Sequence, residues 1–226
     1  MDITEITGLL AEEYGDITWS QYRDPLSELI MTVLSQNTSD RNSRRAFDRL
    51  IARFGSWEAV AKADVDDIAQ AIKLGGLARV KAPRIKAILE QIAAERDSFD
   101  LNFLAELPVD EAGAWLQALP GVGPKTASCV LLFSLGKPIL PVDTHIHRVA
   151  RRLGLIGSKA SAEKAHGILG AMVPAEDVYR FHIYLIEHGR RVCKAQNPRC
   201  HGCVLLPGCP TGRLLLGIVS EQAVKM

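Results

Sequence analysis

Leu119-Pro120-Gly121-Val122-Gly123-Pro124-Lys125-Thr126-Ala127 is the stretch on which the reading of this chain turns. It reads as a tight glycine-rich hairpin that opens directly into an apolar helix, Ser128 through Leu135. Pro124 suits the first helical position, where its missing N–H costs nothing and its φ is already helical. Gly123 then falls at the N-cap, and glycine lets backbone approach a ligand closely while the first N–H groups of the helix lack intrahelical partners. Such groups attract anions, and a DNA phosphate is an obvious candidate. Lys125 breaks the local rule, because a cation in the first turn opposes the macrodipole. A residue that breaks a local rule is a candidate for function. The positive helix end, with any burial, favours the uncharged amine, the species that attacks carbon and forms a Schiff base. A solvated lysine beside a phosphate-binding turn accounts for the same residue equally well.

Working outward, 226 residues suffice for one domain or two small ones. A hydrophobic share of 47% with 23% charged residues is ordinary for a globular protein. The formal net charge is only +1, so nucleic-acid binding would have to come from a local basic face or from backbone amides. The acidic start, Met1-Asp2-Ile3-Thr4-Glu5, has no positive region ahead of an apolar one, and no apolar run approaches the roughly 20 residues that span a bilayer. A cytoplasmic, membrane-free protein is expected, nucleoid-associated if bacterial. No apolar stripe is left obviously uncovered, and a monomer is expected.

The dominant period is helical. Ile3, Ile6, Leu9 and Leu10 give a first amphipathic helix, and Asp24-Pro25 caps a second with Leu26, Leu29, Ile30, Val33 and Leu34 on one stripe. After the turn Ser35–Asp40 a third helix carries Phe47, Leu50, Ile51 and Phe54 and ends near Gly55. Short helices are predicted around Trp57–Ala61 and Val65–Ile72, then Gly75-Gly76 breaks the pattern. Ile85, Ile88, Leu89 and Ile92 form the next stripe, and Asp110 to Ala118 leads into the hairpin. Asp143 caps a helix with Ile146, Val149, Ala150 and Leu153 inward, and two more follow over Ser161–Leu169 and Glu176–Glu187. No period-two alternation points to a sheet. The fold class is all-α.

Four of the five cysteines fall near the end of the chain, as Cys193-x6-Cys200-x2-Cys203-x5-Cys209. Thiols so close together, without marks of secretion, argue for a metal site over two disulfides. Thiolate ligation suits an iron–sulfur cluster or a tetrahedral zinc. Zinc sites usually pair two short knuckles, and only one short pair exists here, so the spacing favours iron–sulfur. Arg190, Arg191, Lys194 and Arg199 make either a solvated basic turn or a phosphate-facing loop. Cys129, among Ala127, Val130 and Leu131, is expected to be a buried structural thiol.

Together the hairpin Leu119–Ala127, the stretch Pro141-Val142-Asp143-Thr144-His145-Ile146-His147-Arg148-Val149 and the four-cysteine ending resemble the endonuclease III family. These are helix–hairpin–helix DNA glycosylases that also cut at abasic sites, and the resemblance runs from about Pro25 to Cys209. It implies a two-lobed all-α fold: a six-helix barrel lobe over residues 25–136, and a cluster lobe made of residues 1–24 and 137–212, with DNA across the cleft between them. Residues 213–226 form a tail longer than the family pattern needs. By position, the resemblance makes Lys125 the nucleophile and Asp143, eighteen residues later, the essential carboxylate. It makes Cys193, Cys200, Cys203 and Cys209 the ligands of a 4Fe–4S cluster that is mainly structural and DNA-positioning. Gly121 and Gly123 would grip the backbone of damaged double-stranded DNA, with Arg190, Lys194 and Arg199 as further DNA contacts. Asn37, or Gln36 beside it, and Leu77 would fill the stack left by a flipped base.

The implied activity is removal of oxidised pyrimidines followed by strand cleavage through Schiff-base β-elimination. Two other readings stand beside it: a monofunctional mismatch glycosylase acting on adenine or on uracil/thymine, and a non-catalytic helix–hairpin–helix DNA-binding module. Neither needs Lys125. Asp143 is in its own right a good helix N-cap, and His145 and His147 fit ordinary packing as well as a pocket.

Overall fold

The computed structural model describes residues 1–220. Among them the regular structure is entirely helical, twelve α-helices joined by loops and short 3-10 turns. The chain forms two compact units: Ser20–Lys137, and Met1–Trp19 together with the chain from Pro138 onward. The N-terminal helix α1 (Ile3–Tyr14) belongs to the second of these, the discontinuous unit.

The continuous unit holds α2 (Pro25–Ser35), α3 (Asp40–Phe54), α4 (Trp57–Lys62), α5 (Val65–Ala71), α6 (Ala78–Glu95), α7 (Val109–Ala118) and α8 (Pro124–Leu135). The start of α2 is fixed by its own residues, since Asp24 Oδ1 accepts from the Ser27 N–H at 2.9 Å and Pro25 opens the helix. Its stripe Leu26, Leu29, Ile30, Val33 and Leu34 is wholly buried, and α8 is its main partner. Thr126 through Leu132 of α8 are all buried, the mark of a helix packed on every side. In α3 only Ser43, Ala46 and Leu50 turn fully inward, leaving Arg41, Arg44, Arg45 and Arg49 exposed. Ile85, Ile88, Leu89 and Ile92 of α6 complete the core as their spacing predicts.

In the discontinuous unit, α9 (Thr144–Leu153) packs against α10 (Ala162–Met172), α11 (Val178–Arg191) and α12 (Pro210–Leu215), and α11 packs on α1 as well. Gly189 lets α9 come close, for a Cβ there would stand 3.0 Å from that of His145. Tyr184 is fully buried, and its hydroxyl donates to the Gly15 carbonyl at 2.8 Å beyond the end of α1.

The boundaries differ from the sequence expectation in places. Glu176 lies in a 3-10 turn after Pro174, and α11 begins only at Val178. Pro83 sits inside α6, where the apolar stripe runs on past it, and it is exposed, so its missing N–H costs one ladder bond and no burial. Of the tail 213–226, the first residues complete α12 and a turn at Gly217, and 221–226 lie outside the described residues.

Candidate functional site

The hairpin between α7 and α8 is anchored by its apolar residues. Leu119 and Val122 are buried, the Val122 N–H closes a turn on the Leu119 carbonyl at 3.1 Å, and Gly121 takes φ +71°. This leaves Gly121, Gly123, Pro124 and Lys125 exposed at the mouth of α8, with Gly123 at the N-cap and Pro124 in the first position. Any burial of Lys125 is thereby ruled out: the residue stands on the surface, because a position one step before the buried run from Thr126 points away from the core.

Behind the hairpin lies a carboxylate that sequence reasoning passed over. Glu28 of α2 is only 8% exposed, accepts from Arg23 Nη1 at 3.2 Å and from Thr32 Oγ1 at 3.5 Å. Burial pushes its pKa above the usual 4.5, and the charges of Arg23 and Lys125 oppose that rise. Its signal was an acid inside the apolar stripe of α2.

Two turns of the same unit hold non-glycine residues in the left-handed region, Asn37 at φ +54° and Leu77 at φ +51°. Such backbone costs about 1–3 kcal/mol per residue and gathers at ligand clamps. Asn37 is exposed, Gln36 half-buried, and Leu77 is 53% exposed despite its size. Lys81 ties the two turns together: it is 2% exposed and its Nζ donates to the carbonyls of Leu34 at 2.7 Å and Gly75 at 2.9 Å. Burial lowers its pKa from the ordinary 10.5.

In the discontinuous unit Asp143 is half-buried at the N-cap of α9, where Oδ1 accepts from the Ile146 N–H at 2.8 Å. The segment leading to it is held by His182, whose Nδ1 donates to the Pro141 carbonyl at 3.1 Å. His145 and His147 are occupied locally. Arg148 Nη2 donates to His145 Nδ1 at 3.0 Å, and His147 Nε2 donates to the Ala160 carbonyl at 2.8 Å.

The four terminal cysteines are free thiols that line one cavity, alongside Val149, Leu153, Val192 and Leu205. Cys129 is a separate, buried thiol on α8, as expected. Arg152 braces the cysteine loop, with Nη1 donating to the Lys194 carbonyl at 2.6 Å and to Cys193 Sγ at 3.3 Å, and Nη2 donating to the Ala195 carbonyl at 3.1 Å. The Gly212 N–H donates to Cys209 Sγ at 3.3 Å, while His188 Nε2 lies 3.4 Å from Cys203 Sγ and its Nδ1 3.0 Å from the Tyr14 hydroxyl. Burial pushes His188 down to about 4, and burial followed by the neighbouring thiols pushes Cys203 up to about 11. Among the described residues no three His, Cys, Asp or Glu side chains converge on one point as a single ion requires. Four thiols around one space are a donor set that thiolate-ligated metal chemistry uses. Arg190 and Arg199 are exposed and Lys194 half-buried around this loop.

Comparison with known proteins shows the family and the fold. Residues 30–174 match the family model of the HhH-GPD superfamily base excision DNA repair protein. An Arabidopsis thaliana relative named as a candidate DNA glycosylase is 41% identical over 73% of this chain, which spans 56% of that protein. Endonuclease III of Thermotoga maritima is 37% identical over 82% of the chain and 83% of its own length. A solved non-covalent complex of endonuclease III with DNA superposes with a TM-score of 0.81 at 30% identity, covering 95% of this chain and 97% of that one.

Proposed function

The chain belongs to the HhH-GPD superfamily of base excision DNA repair proteins, and we propose that it removes oxidised pyrimidines from double-stranded DNA and cleaves the strand at the abasic site. The observation that carries this reading is an exposed lysine in the first turn of a helix that opens on a glycine hairpin. The glycine hairpin grips a phosphate through backbone N–H groups, and the amine beside it reaches the sugar. Endonuclease III relatives at 34% and 37% identity, covered over four-fifths of their length, support the bifunctional chemistry over a binding module.

A damaged base pairs poorly, so rotating its nucleotide out of the duplex costs only about a few kcal/mol, which itself favours lesions over intact pairs. The Lys125 nitrogen attacks C1′ as the bond to the base breaks and the base departs with the electron pair. Asp143 stabilises the positive charge that grows on the sugar, accepts the proton released by the nitrogen, and passes protons onward. The nitrogen lone pair then expels O4′ from C1′, opening the sugar ring as O4′ takes up a proton, and the imine so formed acidifies the C2′ hydrogen. Its loss expels the 3′ phosphate, and water finally frees the lysine. Asn37 or Gln36, with Leu77, fills the stack, while Arg190, Lys194 and Arg199 meet the backbone.

Cys193, Cys200, Cys203 and Cys209 would hold a 4Fe–4S cluster, fitting four thiols around one cavity, and this cluster would cross-link the end of the chain without entering bond making. No described helix is long and apolar enough to cross a membrane.

Borohydride trapping on duplex DNA carrying thymine glycol or an abasic site tests the reading. A covalent adduct forms with the wild-type protein and disappears in Lys125→Ala; an adduct that survives the substitution removes Lys125 from the role.

A further inference from the structure

We infer that Arg84 is a positioning residue for base excision, locking the turn of Gln36 and Asn37 to the glycine hairpin; this rests on the function proposed above. Arg84 leaves α6 with Nη1 donating to Gln36 Oε1 at 2.8 Å, across 48 residues of chain. Its other flank runs beneath Gly121, where a Cβ would stand 2.5 Å from Arg84 Nε, 2.8 Å from Cδ and 2.9 Å from Cζ. One side chain therefore touches both the loop after α2 and the bend before α8. Gly121 at φ +71° is the residue that leaves room for it.

The contact has a chemical consequence. A guanidinium only donates, so it turns the Gln36 amide oxygen inward and its NH₂ outward. The outward group is then a fixed donor beside Asn37, whose left-handed backbone needs surroundings that over-determine it. Lys81, one helical turn earlier, secures the Leu77 turn in the same way through Leu34 and Gly75. Arg84 and Lys81 thus set both wedge-bearing turns at a fixed spacing from the hairpin. The planar fork of Arg84 does this with less disorder than a lysine would.

The test uses duplex DNA with 2-aminopurine opposite a tetrahydrofuran abasic analogue, together with single-turnover excision of thymine glycol. Wild-type protein is expected to change the 2-aminopurine fluorescence by entering the stack, and Arg84→Ala to lose most of that change. The excision rate constant should fall about 10-fold, while affinity for undamaged duplex shifts by less than about 2-fold. Arg84→Lys should recover part of both signals. Gln36→Ala added to Arg84→Ala should cost nothing more, because both act through one contact. Wild-type fluorescence and rate in Arg84→Ala, or losses that add in the double variant, overturn the inference. If Arg84→Ala fails to fold, Arg84→Lys against Gln36→Ala decides the same question. A wild-type protein that excises nothing defeats the proposed function, whereas the fluorescence, which needs binding and no chemistry, still decides on Arg84.

Discussion

Lys81 Nζ donates to the Leu34 carbonyl at 2.7 Å, joining α6 to the end of α2 from 47 residues away. With the Gly75 carbonyl as second acceptor, the ammonium satisfies two buried backbone groups at once. Lys81→Met leaves both without that donor, and stability in urea should fall by about 1–3 kcal/mol. The pH dependence has a definite sign. Below the lowered pKa of Lys81 both states carry the charge; as pH rises through it, the folded protein sheds a proton that the unfolded chain keeps up to 10.5. Wild type should therefore gain on the Met variant across that alkaline window, and a constant gap would refute the assignment.

Asp143 has two separable duties, and two substitutions divide them. Asp143→Asn keeps an oxygen for the Ile146 N–H, so its melting temperature should stay close to wild type while excision drops by about 10²–10⁴-fold. Asp143→Ala should lose the same activity and a further ~1 kcal/mol of stability from the missing cap. Equal activity in Asp143→Asn and wild type would reduce Asp143 to a cap.

Purified protein should be brown, with broad visible absorption and close to four iron atoms per chain, as expected for a cluster held by four thiolates. Cys203→Ser should lower both the iron content and the thermal stability, because metal binding is coupled to folding. A colourless protein carrying one zinc would defeat the cluster assignment.

Glu28 makes a prediction at acid pH. Its carboxyl titrates above 4.5 in the folded protein, chiefly through burial. The folded state holds a proton that the unfolded chain has lost, and the stability this lends is complete below 4.5 and is lost as pH rises through the folded value. Glu28→Gln is spared that loss. As pH rises from 4.5 through the raised folded value the stability difference should move in favour of the variant; movement toward wild type would mean that the Arg23 pair outweighs burial.

What could be read from the sequence was what is local. The Asp24 and Asp143 caps, the Gly123-Pro124 helix start and the apolar stripes of α2 and α6 each depend on residues within a turn or two, and each is present. The family resemblance carried the rest of the candidate site. Lys81 and Arg84 escaped notice because their partners lie 47 and 48 residues away and nothing in their own neighbourhood announces them. Only the presence of a lysine four residues before Ile85, on the buried stripe, hinted at the first. The exposure of Lys125 likewise depended on which face of α8 met α2. Arg152 was invisible for the same reason, since its carbonyl partners at Lys194 and Ala195 come from a loop some forty residues on.

Tyr14 and His188 meet across 174 residues of chain. During synthesis α1 leaves the ribosome long before α11 exists, whereas α2 through α8 emerge as one uninterrupted stretch able to condense on its own. Helix α1 must wait without this partner until α11 has been made. Closure of its unit, and with it the assembly of the cysteine cavity, thereby follows the synthesis of the whole continuous unit.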